Sequence, residues 1–251
     1  MKVIWLSANK LGYELLKEAM KLDCFVLKAI ITLSPKSKVV MYDGFPIEMW
    51  KRFGVGVFQL QNPSNIKALI DKMTPDLIVM CGWRGIIKKD LLNIIPSGIV
   101  GFHPTLLPFG RGPAPVINTI LRGSTVSGLT MYYVSEGLDK GDIIAQVKFS
   151  IKETDHAQDV YNRIIKAGKE LIRKYFPLII KGNAPRVPQD ESKAVVFTKP
   201  SLDSNKIDLN KESLEQVYRK IKALSAPYKG AYIEKEGKKL IIWRAELECL
   251  K

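Results

Sequence analysis

The chain has 251 residues, 46% of them apolar and 25% charged, and 39 basic against 25 acidic groups leave a net charge of +14. That length holds one large domain, or one domain with a small appendage, and no window reaches the roughly 18 unbroken apolar residues of a membrane span. Cys24, Cys81 and Cys249 stand far apart with no CxxC spacing, which argues against a disulfide framework or a zinc site and for a reducing, cytoplasmic setting.

The opening MKVIWLSANK is too short an apolar run for a signal peptide and reads as a strand. The positive charge attracts polyanions by long-range steering. It is spread along the chain: residues 191–251 carry only 13 basic and 9 acidic groups, so a Lys-rich solvated surface is expected rather than one basic arm.

In chain order, residues 2–6 read as a buried strand, 11–22 as a helix and Val26–Leu33 as a second strand. Two buried strands joined by a helix imply a parallel sheet. The alternation continues with a helix at 47–53, a strand at 57–60, a helix at 64–73, a strand at 77–80, a short helix at 89–94 and a strand at 99–102. After a helix at 114–121, two strands at 127–134 and 143–151 flank the turn-rich EGLDKGD. Thr154 is expected to cap a long amphipathic helix ending near 181, with His156 on the surface of its first turn. Three prolines make 182–200 read as a linker, and a last helix at 211–224 precedes strands at 231–234 and 239–246. The expected class is α/β: a Rossmann-like, mostly parallel sheet with helices on both faces, plus a small α+β C-terminal segment.

Ligands of open α/β sheets bind beyond the carboxyl ends of the strands. Three loops lie there, at 7–10, at 82–86 and from His103 onward, and no GxGxxG or GxxxxGK[ST] accompanies the first strand. His103, one of two histidines, ends a buried strand and precedes a loop held by Gly110, Gly112, Pro108, Pro113 and Pro115. It reads either as a core histidine or as a site residue. Arg111 either faces an anion or braces that loop. Asp139, bracketed by Gly137 and Gly141, is either a solvated turn residue or a carboxylate aimed inward.

Taken together, GFHPTLLP, RGPAP and LDKGDIIAQ, with His103 and Asp139 separated by 36 positions, resemble the folate-dependent formyltransferases. That family includes methionyl-tRNA formyltransferase, glycinamide ribonucleotide formyltransferase and the amino-sugar N-formyltransferases. The resemblance covers about residues 1–185. It implies a catalytic domain at 1–185, a linker at 186–200 and a small accessory region at 201–251, where IDLNKESLEQVYRKIKALSAPYKGAY looks like the start of the C-terminal region of the tRNA and sugar branches. It further implies 10-formyltetrahydrofolate as co-substrate, His103 as general acid/base between the amine and the collapsing formyl intermediate, and Asp139 as the group that orients and charge-stabilises it. Gly82, Trp83, Arg84, Gly85 and Ile86 would form one wall of the pterin pocket, and Glu136, Gly137 and Leu138 the other. Gly101 departs from the family asparagine whose amide donates to the developing oxyanion. Restoring an asparagine there is expected to keep or raise activity.

The acceptor is a primary amine, either on a nucleotide-linked amino sugar or on methionyl-tRNA. The short LSPKSKVVMYDGFPIEMW stretch holds only Lys36 and Lys38, and residues 201–251 are too few for a complete five-stranded barrel, so the sugar branch is favoured. Asn9, Lys10 and Arg111 are the expected diphosphate contacts, and Tyr228, Tyr232 and Trp243 the aromatic groups available to a base. A homodimer through the C-terminal segment is a further expectation. A basic binding domain with a decayed site is the rival from another class, and a formyl-folate hydrolase a third reading. A nucleic-acid binder would lose affinity steeply with salt.

Overall fold

A computed structural model describes residues 1–37, 44–83, 85, 87–199 and 205–248; Lys38, Arg84, Ile86 and Cys249 lie outside the described residues. Strand β1 (Lys2–Ser7) is buried from its second residue and leads into helix α1 (Lys10–Ala19). Strand β2 (Val26–Leu33), helix α2 (Ile47–Lys51) and strand β3 (Gly56–Leu60) follow. The helix expected over 64–73 divides into a 3₁₀ turn at Pro63–Ile66 and α3 (Lys67–Met73). Then come β4 (Leu77–Cys81), α4 (Lys89–Leu92) and β5 (Ile99–His103).

These five strands are parallel, in the order β3-β2-β1-β4-β5, and they extend into the antiparallel β7 (Val126–Tyr133) and β8 (Ile143–Ser150) to make a seven-stranded sheet. The order reverses between β1 and β4, the place where α/β folds open a crevice. Between β5 and β7 run the short strand β6 (Phe109–Arg111) and helix α5 (Pro115–Leu121).

The sheet separates two apolar layers, because alternate residues of a strand point to opposite faces. Val3, Trp5, Val79, Val100 and Phe102 pack with α1, α5 and the long helix α6 (Ala157–Ile180). Ile4, Leu6, Ile31, Ile78 and Ile99 pack with α3 and α4. Gly101 and His103 belong by register to this second face, as do their cross-strand neighbours Tyr132 and Thr130.

Helix α6 begins at Ala157, so Thr154 is not its cap. His156 takes that position in extended conformation, and Asp159 accepts the His156 backbone N–H at 2.9 Å. The histidine is thus half-buried at the cap rather than exposed in the first turn. The turn before it is fixed by Asp155, which is buried and ion-paired to Arg163.

The stretch read as a linker is ordered along its described length. Val187 bridges Ile143, a 3₁₀ turn forms at Glu191–Lys193, and β9 (Val195–Val196) pairs in parallel with β6. After it, α7 (Leu214–Leu224) is capped by Ser213 and followed by the hairpin β10 (Ala231–Lys235) and β11 (Lys238–Ile242). Val217, Ile221, Leu224 and Ala231 enter the main core, so the segment borrows its apolar support from the larger body. Tyr228 packs against that core, whereas Trp243 stays about half exposed.

Gly12 sets how closely α1 approaches the sheet. A Cβ there would lie 1.8 Å from Ser7 Oγ and 3.1 Å from the Cys81 carbonyl oxygen. Gly12→Ala should therefore destabilise by about 1–3 kcal/mol through overpacking, although alanine favours a helix by about 1 kcal/mol. Urea unfolding checks this, and a more stable variant would contradict the close packing.

Candidate active site

The site is built where the second sheet face runs past β5 onto β7. His103 is the last residue of β5 and is 7% exposed. Its Nε2 lies 2.7 Å from the Gly110 carbonyl oxygen and its Nδ1 3.5 Å from Asp139 Oδ2. A carbonyl can only accept, so Nε2 carries a proton. Nδ1 is then the atom left to gain and lose one, and it faces the carboxylate.

Asp139 sits in the left-handed region, at φ +52°. Asx residues tolerate that conformation better than most. Its two oxygens are divided among three elements. Oδ1 accepts from the Tyr132 hydroxyl at 2.7 Å, and Oδ2 accepts from the Gly112 N–H at 2.9 Å while facing His103. Tyr132 is buried, and burial first, then the Asp139 charge and the shared hydrogen bond, push its phenol well above the ordinary range. It therefore remains a protonated donor.

The loop after His103 is clamped from β7 and β8. Thr130 Oγ1 donates to the Thr105 carbonyl and accepts from the Leu107 N–H, and Gln146 Nε2 donates to the Leu107 carbonyl and to Thr130 Oγ1. Residues 189–191 close the other side. Gln189 Nε2 donates to the carbonyls of Asp139 and Gly141, both at 2.8 Å.

Arg111 corrects one of the two expectations placed on it. Its side chain is 2% exposed, and its guanidinium donates to both Glu191 oxygens at 2.7 and 2.9 Å and twice to Gln189 Oε1. The hydrogen bond from Arg111 holds the Glu191 carboxyl below its usual range. With its fork consumed internally, Arg111 braces the loop and is not presented to a diphosphate.

Asn9 also turns inward. It is buried, caps α1 by accepting the Gly12 N–H at 3.0 Å, and fills the space beside Gly82, whose Cβ would meet it at 2.2 Å. Gly82 at φ +64° lets the chain leave β4 around that side chain. Lys10, by contrast, is exposed and lines a cleft of about 310 Å³ with Phe45, Pro46, Gln158, Tyr161 and Pro227.

Glu136 of the second expected wall pairs with Lys89 of α4 at 3.2 Å, both side chains exposed. Arg84 and Ile86 lie outside the described residues. On the first wall, Trp83 Nε1 is a buried N–H with no partner among the described residues, and Gly85 has no room for a Cβ between it and Pro63. On the second, Gly137 has φ +104° and Leu138 is 50% exposed.

The sequence reading missed Tyr132, Thr130, Gln146, Gln189 and Glu191. For Tyr132 the only signal was a tyrosine within an alternating strand, and its meaning depends on the register with β5.

An imidazole–carboxylate pair thus stands at the carboxyl edge of an α/β sheet. The chain belongs to the formyl transferase family: the family model matches residues 44–175, and the model of the family's C-terminal domain matches 201–250. The methionyl-tRNA formyltransferase of Halalkalibacterium halodurans is 30% identical over 98% of this chain and 78% of its own length. A sugar N-formyltransferase from a Shewanella species superposes with a TM-score of 0.77 at 22% identity, covering 100% of this chain and 99% of the other. The N-formyltransferase from Helicobacter canadensis, solved with folinic acid and dTDP-3-aminofucose, gives 0.72 at 20% identity over 96% and 86%.

Arg111→Met removes the donor of four hydrogen bonds and strands Glu191 and Gln189. It should lower the melting temperature, because loss of the buried guanidinium leaves four hydrogen bonds unmade, although the Glu191 end of the pair is exposed. A thermal melt beside acceptor kinetics checks this; an unchanged melt with a raised acceptor KM would return Arg111 to substrate binding.

Proposed function

We propose that the protein transfers the formyl group of 10-formyltetrahydrofolate to the primary amine of a nucleotide-linked amino sugar. The observation that carries the chemistry is His103 Nδ1 facing Asp139 Oδ2 at 3.5 Å in a nearly dry site. In the transfer, the amine nitrogen bonds to the formyl carbon and the bond from that carbon to N10 of the folate breaks. The amine loses a proton and N10 gains one. His103 Nδ1 takes the first and returns one to the leaving nitrogen, and Asp139 stabilises the imidazolium between those events. The low exposure of the pair strengthens that stabilisation by excluding water.

The loops at 82–86 and 136–138 supply the folate end. Trp83 Nε1 donates to a ring acceptor and Leu138 covers the apolar face. The cleft beside Lys10 receives the nucleotide end of the acceptor. Its size suits a base with a phosphate, Lys10 offers the cation, and Phe45 offers a surface for the base. The match of sugar N-formyltransferase structures over nearly the whole of both chains supports this acceptor class. A formylated sugar nucleotide is then a building block for glycan assembly in the cytoplasm.

Methionyl-tRNA is the second reading of the acceptor. It is favoured by the 30% identity to the Halalkalibacterium halodurans enzyme and by the net charge of +14.

An assay with 10-formyltetrahydrofolate, a panel of UDP- and dTDP-linked amino sugars, and methionyl-tRNA decides between them. Transfer to a sugar nucleotide is expected, and transfer only to methionyl-tRNA would replace the acceptor assignment. His103→Ala should reduce transfer at least about 100-fold, and an unchanged rate would refute the mechanism. Lys10→Ala should raise the acceptor KM about tenfold, the loss of one charge-assisted contact, with the folate KM unchanged. An acceptor KM equal to that of the wild type would remove the cleft from the site.

A further inference from the structure

The general base needs its carboxylate held in one place, and the structure assigns that task to Tyr132, working together with Gly101. The inference rests on the formyl-transfer reading of His103 and Asp139 and deepens it.

Antiparallel pairing of β5 and β7 sets Gly101 directly opposite Tyr132 on the sheet face that carries His103. A Cβ at residue 101 would lie 2.8 Å from Tyr132 Cε1, 2.9 Å from Cζ and 3.1 Å from the hydroxyl oxygen. Contacts below 3 Å require the phenol end of Tyr132 to shift, and its burial makes that shift costly. The phenol therefore occupies the volume that any side chain at 101 would take. Tyr132 and a side chain at residue 101 compete for one space, which runs against the expectation that an asparagine restored at 101 keeps or raises activity.

What the phenol does there follows from its partner. Its hydroxyl is 2.7 Å from Asp139 Oδ1, and the ring is 3% exposed. Asp139 has no other hydrogen bond on Oδ1 among the described residues, whereas Oδ2 is committed to Gly112 and to His103. One donor per oxygen fixes the rotation of the carboxylate about its Cβ–Cγ bond. Without the hydroxyl, Oδ1 would be left unsatisfied in a site with little access to water, and the carboxylate would turn to recover a partner. Oδ2 would then leave the His103 nitrogen. Tyr132 is a positioning residue that acts on the reaction through Asp139.

Tyr132→Phe keeps the ring and removes only the hydroxyl. In formyl transfer it should lower kcat about 10- to 100-fold, the effect of one hydrogen bond to a charged group, with both KM values within about twofold. In an Asp139→Ala background, followed by single turnover, the same change should have almost no further effect, because the hydroxyl has no carboxylate left to hold. A Tyr132→Phe enzyme with the wild-type kcat, or an effect fully multiplicative with Asp139→Ala, would overturn the assignment.

Thermal melts test the steric half without reference to activity. Gly101→Asn should melt well below wild type, and Gly101→Asn combined with Tyr132→Ala should recover part of the loss. Gly101→Asn melting with the wild type would show that the two side chains coexist and would end the claim. A wild type that moves no formyl group defeats the proposed function instead, and the melts still decide the Gly101–Tyr132 exclusion.

Discussion

The arrangement depends on one carboxylate. Asp139 gathers a hydroxyl from β7, a backbone N–H from the loop behind β6 and an imidazole from the end of β5. Each group reaches it only if its element is in register. A slip of one residue between β5 and β7 would turn Tyr132 to the opposite face of the sheet and remove it from Asp139. The left-handed backbone at Asp139 is held in turn by Gln189, which bonds its carbonyl and that of Gly141. Segments distant in sequence thus converge on a single charged group, as expected where unpaired burial would be costly.

Residues 186–199 take on more than a connecting part in this light. Gln189 and Glu191 saturate the guanidinium of Arg111, β9 pairs with β6, and the Asp139 turn hangs from the same glutamine. The strap ties the Asp139 turn to the chain that leads into the C-terminal segment. Helix α7 in turn buries its apolar face in the main core.

Much of the fold was legible before any coordinates. Parallel strands buried on both faces read as continuous apolar runs, and those at 26–33 and 99–102 needed no tertiary information to recognise. His103 and Asp139 were legible because their spacing and flanking glycines and prolines form a motif. Tyr132 was not, since its meaning lies in the residue across the ladder. Arg111 was ambiguous for a related reason: its partners sit 78 and 80 positions away. His156 displaced Thr154 as the cap of α6 because Asp155 and Arg163 fix the turn before the helix, a tertiary constraint that overrides cap preference. Asn9 was read as a diphosphate contact and Gly82 as part of the pterin wall, and the close fit between them, with Asn9 capping α1, was not visible in the sequence.

The central claim is that the Asp139 charge, held beside Nδ1 of His103, drives proton transfer. It is tested most directly by the single-turnover rate of Asp139→Asn with 10-formyltetrahydrofolate bound and acceptor amine in excess. The amide keeps the shape and, with its oxygen toward Tyr132, that hydrogen bond, while it removes the charge and gives up the bond from the Gly112 N–H. A fall of about 100-fold or more, with folate affinity unchanged, is the expected result. A rate equal to that of the wild type would contradict the account.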